Sequence, residues 1–178
     1  MVLSKTETQL SRDATNAGVR PDVGGSRVDL GALFESHSAA MYRTILAYTG
    51  GRGDLAEEAV GEAFSRAAAR AAGLRDPVAW LYRVAFNVAN DELRRERRDG
   101  IDVREAAQQP PELSEVLEAL KRLPLRERAV MALFYVLDLP VREVAARLGI
   151  AAATVRVHVT RGRRHLAALL VDEEATDR

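Results

Sequence analysis

The 178-residue chain contains no cysteine, which removes disulfide frameworks, thiolate zinc sites and cysteine nucleophiles and suits a reducing compartment. Lysine is nearly missing too: only Lys5 and Lys121 are present, so the cationic chemistry is arginine chemistry. No apolar run approaches the roughly 20 residues that cross a bilayer. The N-terminus lacks the charged-then-apolar order of a signal peptide, and a cytoplasmic protein is expected. No segment alternates convincingly with period two, so no sheet is expected. The histidines, His37, His158 and His165, stand alone in the sequence. There is no HExxH, no paired-carboxylate pattern and no glycine-rich loop after a strand. An enzyme is therefore the weakest reading, and no catalytic residue, metal ligand or cofactor is expected. Net charge is also absent, at a formal zero, which at first argues against a nucleic-acid partner.

The distribution of charge argues the other way. Between Arg142 and Arg164 stand Arg142, Arg147, Arg156, Arg161, Arg163 and Arg164, with His158, against the single acid Glu143. A second basic block is Arg94-Arg95-Glu96-Arg97-Arg98. Acids collect at Asp54, Glu57, Glu58 and Glu62, and in the tail Asp172-Glu173-Glu174. Solvated helix faces explain any one block; separated blocks of both signs point to separate binding faces. A metal on the acidic helix face is the lesser reading of that cluster.

With 47% apolar residues a packed core is affordable. Residues 1–27 are polar, without apolar period, and read as a flexible arm. From Leu30 a helix carries Leu33, Phe34, Met41, Tyr42, Ile45 and Leu46. The cluster Gly50-Gly51-Arg52-Gly53-Asp54 ends it, with Asp54 as a candidate cap for the next helix. That helix bears Leu55, Ala59, Val60, Phe64 and Ala67. A third, from about Val78 to Arg98, follows Pro77 and carries Trp80, Leu81, Val84, Ala85 and Val88. Residues 99–112, with Pro110-Pro111, read as a linker between domains at 28–98 and 113–171, with an acidic tail at 172–178. Four short helical patterns fill the second half. The predicted fold is all-α: two small helical domains joined by a flexible linker.

The last two patterns are joined by Leu148-Gly149-Ile150, where Gly149 supplies the left-handed residue of a sharp turn. In a helix-turn-helix the second helix enters the major groove. If Val155, Val159 and Leu166 face the core, Arg156, Val157, His158 and Arg161 project outward; Arg163 and Arg164 suit phosphate. Ala151 and Pro140 stand where capping side chains are usual, which softens the motif. A plain helical hairpin with a solvated basic face is the alternative.

These residues resemble a family. Leu113-x2-Val116-Leu117-x2-Leu120-x2-Leu123-Pro124-x2-Glu127-Arg128-x-Val130, with Val144-Ala145-x2-Leu148-Gly149-Ile150 and Thr154-Val155-Arg156, is similar to the −35-binding domain of sigma-70-type factors. Leu33-Phe34-Glu35-x-His37, Ala56-Glu57-Glu58-x-Val60-x-Glu62-x-Phe64 and Ala79-Trp80-Leu81-x-Arg83-x-Ala85-x-Asn87-x3-Asp91-x-Leu93-Arg94-Arg95 resemble the domain that binds core polymerase and the −10 element. Two such domains alone resemble the extracytoplasmic-function (ECF) group. The resemblance implies that Asp54, Glu57, Glu58, Val60 and Glu62 dock on the clamp helices of the polymerase's largest subunit. Val60 and Phe64 have a plain core reading as well, and Gly61 stands where the family commonly has glutamine. It further implies that Arg75, Asp76, Tyr82, Arg83, Phe86, Asn87, Asp91, Arg94 and Arg95 bind the melted −10 strand, Tyr82 and Phe86 by stacking. Trp80 reads as core, and Asn87 could instead tie its helix to a neighbour. Duplex −35 contacts fall to Arg142, Arg156, Val157, His158, Arg161, Arg163 and Arg164. An anti-sigma protein is the further partner implied. A helix-turn-helix regulator that acts without polymerase is the rival reading.

Overall fold

The structure, a computed structural model, describes residues 28–70, 74–100 and 111–176; the N-terminal arm and most of the expected linker lie outside the described residues. The described elements are helices: α1 (Leu30–Thr49), α2 (Gly53–Arg70), α3 (Pro77–Asp99), α4 (Pro111–Lys121), α5 (Leu125–Met131), a π-helical turn (Ala132–Val136), α6 (Val141–Leu148) and α7 (Ala152–Thr176). No strand occurs among the described residues.

Local chemistry sets the ends of the first three helices. The Asp29 carboxylate accepts from Ala32 N at 3.0 Å and starts α1, while Gly50, at φ 72°, ends it by returning its N–H to α1 carbonyls. Asp54 is not a cap: α2 begins one residue earlier, at Gly53, and Asp54 lies in its first turn. The Asp76 carboxylate caps α3 through Ala79 N at 2.9 Å, with Pro77 in the first turn. The core of these helices joins Met41, Ile45 and Tyr48 to Leu55, Leu81, Tyr82 and Phe86. Ala56, Ala59, Ala63, Ala67, Ala85 and Ala89 are all buried, and their small side chains let the helices approach closely.

The second half starts inside the expected linker, because Pro111 sits comfortably at the start of α4. Where Val130, Leu133, Phe134 and Leu137 predict one regular helix, α5 instead widens into the π turn, followed by Asp138 at φ 50°. Leu133 stays buried, whereas Tyr135 and Val136 turn outward. Gly149 adopts φ 68° and returns its N–H to Ala145 O, making the sharp turn between α6 and α7. Neither Pro140 nor Ala151 offers a capping side chain, as expected. On α7, Gly162 lets α5 approach: a Cβ there would stand 2.8 Å from Met131 Cγ. The backbone of α7 continues to Thr176, so residues 172–176 of the acidic tail are helical.

The halves touch. Their buried apolar residues form one continuous cluster. Lys121 of α4 lies directly over Gly50, where any side chain would collide with it. Arg128, 3% exposed, donates to Tyr48 O at 3.2 Å across the divide, and to Lys121 O and to Leu123 O (3.2 Å) in its own half. The Arg147 guanidinium of α6 sits 4.7 Å from the centroid of the Tyr82 ring on α3.

Candidate nucleic-acid interface

Burial of Val155 and Val159 fixes the roll of α7, and so decides which side chains face out. Arg156, Val157, Thr160, Arg161 and Arg164 line one shallow exposed groove. Among the described residues no carboxylate pairs with Arg156, Arg161 or Arg164. Three uncompensated guanidinium groups around an exposed valine suit phosphates and base edges: arginine pairs with guanine in two-pronged fashion, and an apolar group meets the thymine methyl. Arg142 is exposed on α6. Arg163 lies elsewhere, its Nε donating to Tyr135 Oη at 2.6 Å and its guanidinium 5.7 Å from the Phe134 and Tyr135 rings. It fastens α7 to the π turn. His158 is turned inward, with a buried and unpartnered Nδ1.

On α3 the expected strand readers separate into two groups. Asn87, Asp91 and Arg94, at i, i+4 and i+7, are exposed on one face. Asn87 and Arg94 also line a cleft of about 340 Å³ against α5, α6 and α7, together with Asn90, Arg126, Thr154 and His158. Tyr82 and Phe86 are instead core residues here, 1% and 6% exposed, and unavailable for stacking on bases in this arrangement. Phe86 packs edge-on against Tyr48 with 5.0 Å between centroids, and Tyr82 lies under Arg147. Arg83 is half-buried against the Gly149 turn, and Arg95 pairs with Glu92 at 2.7 Å. Arg75 is exposed just before α3, whereas Asp76 is engaged as the cap. Residues 71–73, which precede this segment, lie outside the described residues.

Comparison with known proteins meets this geometry. The family model "Sigma-70 region 2" matches residues 33–99, and "Sigma-70, region 4" matches residues 113–166. The ECF RNA polymerase sigma factor SigM of Mycobacterium tuberculosis is 29% identical over 158 residues, covering 83% of this chain and 80% of that one. The chain belongs to the sigma-70 family, ECF group. Among solved structures, CnrH in complex with the cytosolic domain of CnrY is 28% identical at a TM-score of 0.64, over 80% of this chain and 88% of that one. The sigma factor RpoE of Bartonella quintana, solved with the anti-sigma factor NepR, has a TM-score of 0.65 at 23% identity, over 80% and 96% of the two chains, and shares the fold. This sigma factor therefore serves promoter recognition with RNA polymerase.

The acidic face of the sigma factor stands on α2. Asp54, Glu57 and Glu58 are exposed in its first two turns; Glu62, half-exposed, pairs with Arg66 at 2.7 Å. Val60 is 7% exposed and belongs to the core, so it cannot be the apolar contact expected of this face. The apolar groups that stand beside this face are Phe34 and Phe64. Phe34 is 51% exposed and meets the half-buried Phe64 edge-on at 5.0 Å, with Glu57, Gly61 and Phe64 following i, i+4, i+7. Arg52 holds the start of α2 through Asp54 at 2.7 Å and Glu96 at 2.6 Å. Its hydrogen bond keeps the Asp54 carboxyl below the ordinary carboxylate range.

Three polar arrangements escaped the sequence reading: Arg52 with Glu96, Arg128 with its carbonyls, and the exposed His165, through Nδ1, with the buried Glu127 at 2.7 Å. A signal existed for Glu127, which stands three residues before Val130 on the apolar stripe of α5. Burial pulls Arg128 down to about 10 and pushes Tyr48 up to about 12. Among the described residues no cluster of His, Asp and Glu is arranged to hold a metal, and no helix is long and apolar enough to cross a membrane.

Proposed function

We propose that this ECF sigma factor docks on the clamp helices of core polymerase through Asp54, Glu57, Glu58 and Glu62, holds the −35 duplex with α7, and captures melted −10 bases with α3. The factor works in the cytoplasm and catalyses no reaction of its own. The working units are residues 28–98 and 113–171. The observation that carries this reading is the unpaired arginine groove of Arg156, Arg161 and Arg164 on the second helix of the helix-turn-helix. Arg142 and Arg164 are assigned to phosphate, which fixes register rather than sequence. On α3, Asn87 and Asp91 are assigned to exposed base edges, and Arg75, Arg83, Arg94 and Arg95 to the strand backbone. Strand opening draws on binding energy, since unstacking a base costs a few kcal/mol.

The partner in the silent state is an anti-sigma protein. Support comes from CnrH, a relative solved while bound to the cytosolic domain of a second protein, CnrY.

Replacing Arg156 tests the central assignment. Arg156→Ala is expected to lower −35-dependent initiation about tenfold, the equivalent of about 1–3 kcal/mol for one two-pronged base contact. Binding to core polymerase, measured by co-elution, should be unchanged. Loss of polymerase binding with promoter affinity intact contradicts the assignment.

A further inference from the structure

The cleft of about 340 Å³ between α3 and the helices α5 to α7 has a lining of two kinds. Leu125, Leu148 and Ile150 are half-buried there and give it hydrocarbon walls. Asn90, Thr154 and His158 bring polar groups into the same space. Apolar walls with a few convergent polar groups are the usual build of a small-molecule site, and the volume falls within the range of such sites.

Several of these groups carry bonding capacity that the chain leaves unused. His158 has a buried Nδ1 without a hydrogen-bond partner, an arrangement that proteins seldom tolerate without a reason. Its ring is half-buried, and half a turn about χ2 exchanges its two edges. Asn90 accepts from Tyr48 Oη at 3.3 Å through Oδ1, while its amide N–H groups donate to no partner among the described residues. Arg94 on α3 and Arg126 on α5 are exposed lining residues, and neither has an ion pair among the described residues. No carboxylate lines the cleft. The field is positive there: burial raises the Tyr48 phenol, Arg128, Arg94 and Arg97 pull it back, and Asp91 alone acts the other way. Guanidinium forks on two walls, free of acids, suit a phosphate. A bare phosphate would leave His158 and the hydrocarbon walls unmatched, and a sugar phosphate would set hydroxyls against Leu148 and Ile150. A heteroaromatic base has flat apolar faces and a polar edge, which match both.

We propose that this cleft binds a free mononucleotide, with its phosphate between Arg94 and Arg126 and its base against Leu148 and Ile150, the polar edge toward His158 and Asn90. Arg126 and Asn90 stand outside every DNA and polymerase contact assigned above, so the site itself does not depend on those assignments. Its consequence does. It rests on the assignment of Arg94 to the strand backbone: one guanidinium cannot hold strand and nucleotide at once, so the two compete.

Titration calorimetry on the full chain tests the site, at about 0.15 M salt so that long-range attraction is screened. The probes are the ribonucleoside 5′-monophosphates and 5′-diphosphates, the parent nucleosides, and inorganic pyrophosphate. At least one nucleotide is expected to bind one-to-one, about tenfold or more tighter than its nucleoside and than pyrophosphate. Arg126→Gln is expected to weaken that binding about tenfold, and His158→Phe about threefold or more. Arg98→Gln removes an exposed arginine of α3 outside the cleft and should change it by less than about twofold. Circular dichroism checks folding; Arg126 is exposed, so its replacement tests the site even where His158→Phe does not fold. No binding of any nucleotide overturns the proposal. Pyrophosphate binding as tightly as nucleotide, or an equal loss in Arg98→Gln, overturns it too, because either reduces the cleft to a general positive field. Competition is read with a pool of random single-stranded deoxyoligonucleotides about twelve nucleotides long, whose binding a saturating nucleotide should weaken about threefold or more. If the nucleotide binds as described and the strand is unaffected, the site stands and Arg94 is no strand contact. If the strand binds and no free nucleotide does, the site fails and strand reading by α3 is untouched.

Discussion

Arg52 divides its guanidinium between two carboxylates of unequal exposure, and the two bonds differ in weight accordingly. Asp54 has its side chain 62% exposed, whereas Glu96 is 12% exposed. Removing Arg52 leaves Glu96 as a nearly buried, unpaired charge; Arg52→Ala is expected to cost about 2–3 kcal/mol, read by urea denaturation at neutral pH. Asp54→Asn, by contrast, should cost less than about 1 kcal/mol at pH 7, because solvent screens that pair. The pH dependence has a definite sign. The folded-state pKa of Asp54 is depressed, so its contribution is present above its ordinary value of 3.8 and is lost as pH falls through the lower folded value. Once pH has fallen below that folded value, the wild type and Asp54→Asn should converge in stability. A difference that grows on acidification contradicts the pairing with Arg52.

At the scale of the helix, two glycines invite the same substitution with opposite results. Gly61 lies on the exposed side of α2 with nothing within 4 Å of a Cβ, so Gly61→Ala should stabilise by up to about 1 kcal/mol through helix propensity alone. Gly162 is buried on α7, and its Cβ would stand 2.8 Å from Met131 Cγ and 2.9 Å from Sδ. The same propensity gain is there outweighed by overpacking at about 1–3 kcal/mol, and Gly162→Ala should lower the melting temperature by several degrees. Thermal denaturation of both variants settles the pair: opposite signs support the packing described, and stabilisation at Gly162 contradicts it. Gly61 also neighbours the acidic face, so Gly61→Ala further reports whether a partner approaches α2 closely there.

Much of this element level was legible beforehand. Helix periodicity placed α1, α2, α3, α6 and α7, because each buries a stripe at 3.6-residue spacing. Gly149 marked its turn because the backbone there needs a positive φ. The π turn was not legible: the spacing from Val130 to Leu137 suits a regular helix, and only tertiary packing turns Tyr135 outward to meet Arg163. Val60, Tyr82 and Phe86 show the same limit. Helical spacing gives the face a residue occupies, but whether a second half covers that face is a property of long-range contacts.

The whole molecule is where sequence reading stopped soonest. Residues 99–112 read as a linker between independent modules, yet α4 starts at Pro111 and one apolar cluster runs through both halves. Nothing local in the sequence announces that Arg128 reaches Tyr48, eighty residues earlier. The function was more legible than this arrangement, because the arginine groove and the acidic helix are each written on a single helix face.

Run-off transcription with bacterial core polymerase on a library of genomic promoter fragments tests the account at its centre. The purified chain should co-elute with core enzyme and direct transcripts from a restricted set of fragments, and Arg156→Ala should lose those transcripts while still co-eluting. A chain that binds duplex DNA but neither co-elutes with core polymerase nor starts a transcript contradicts the account.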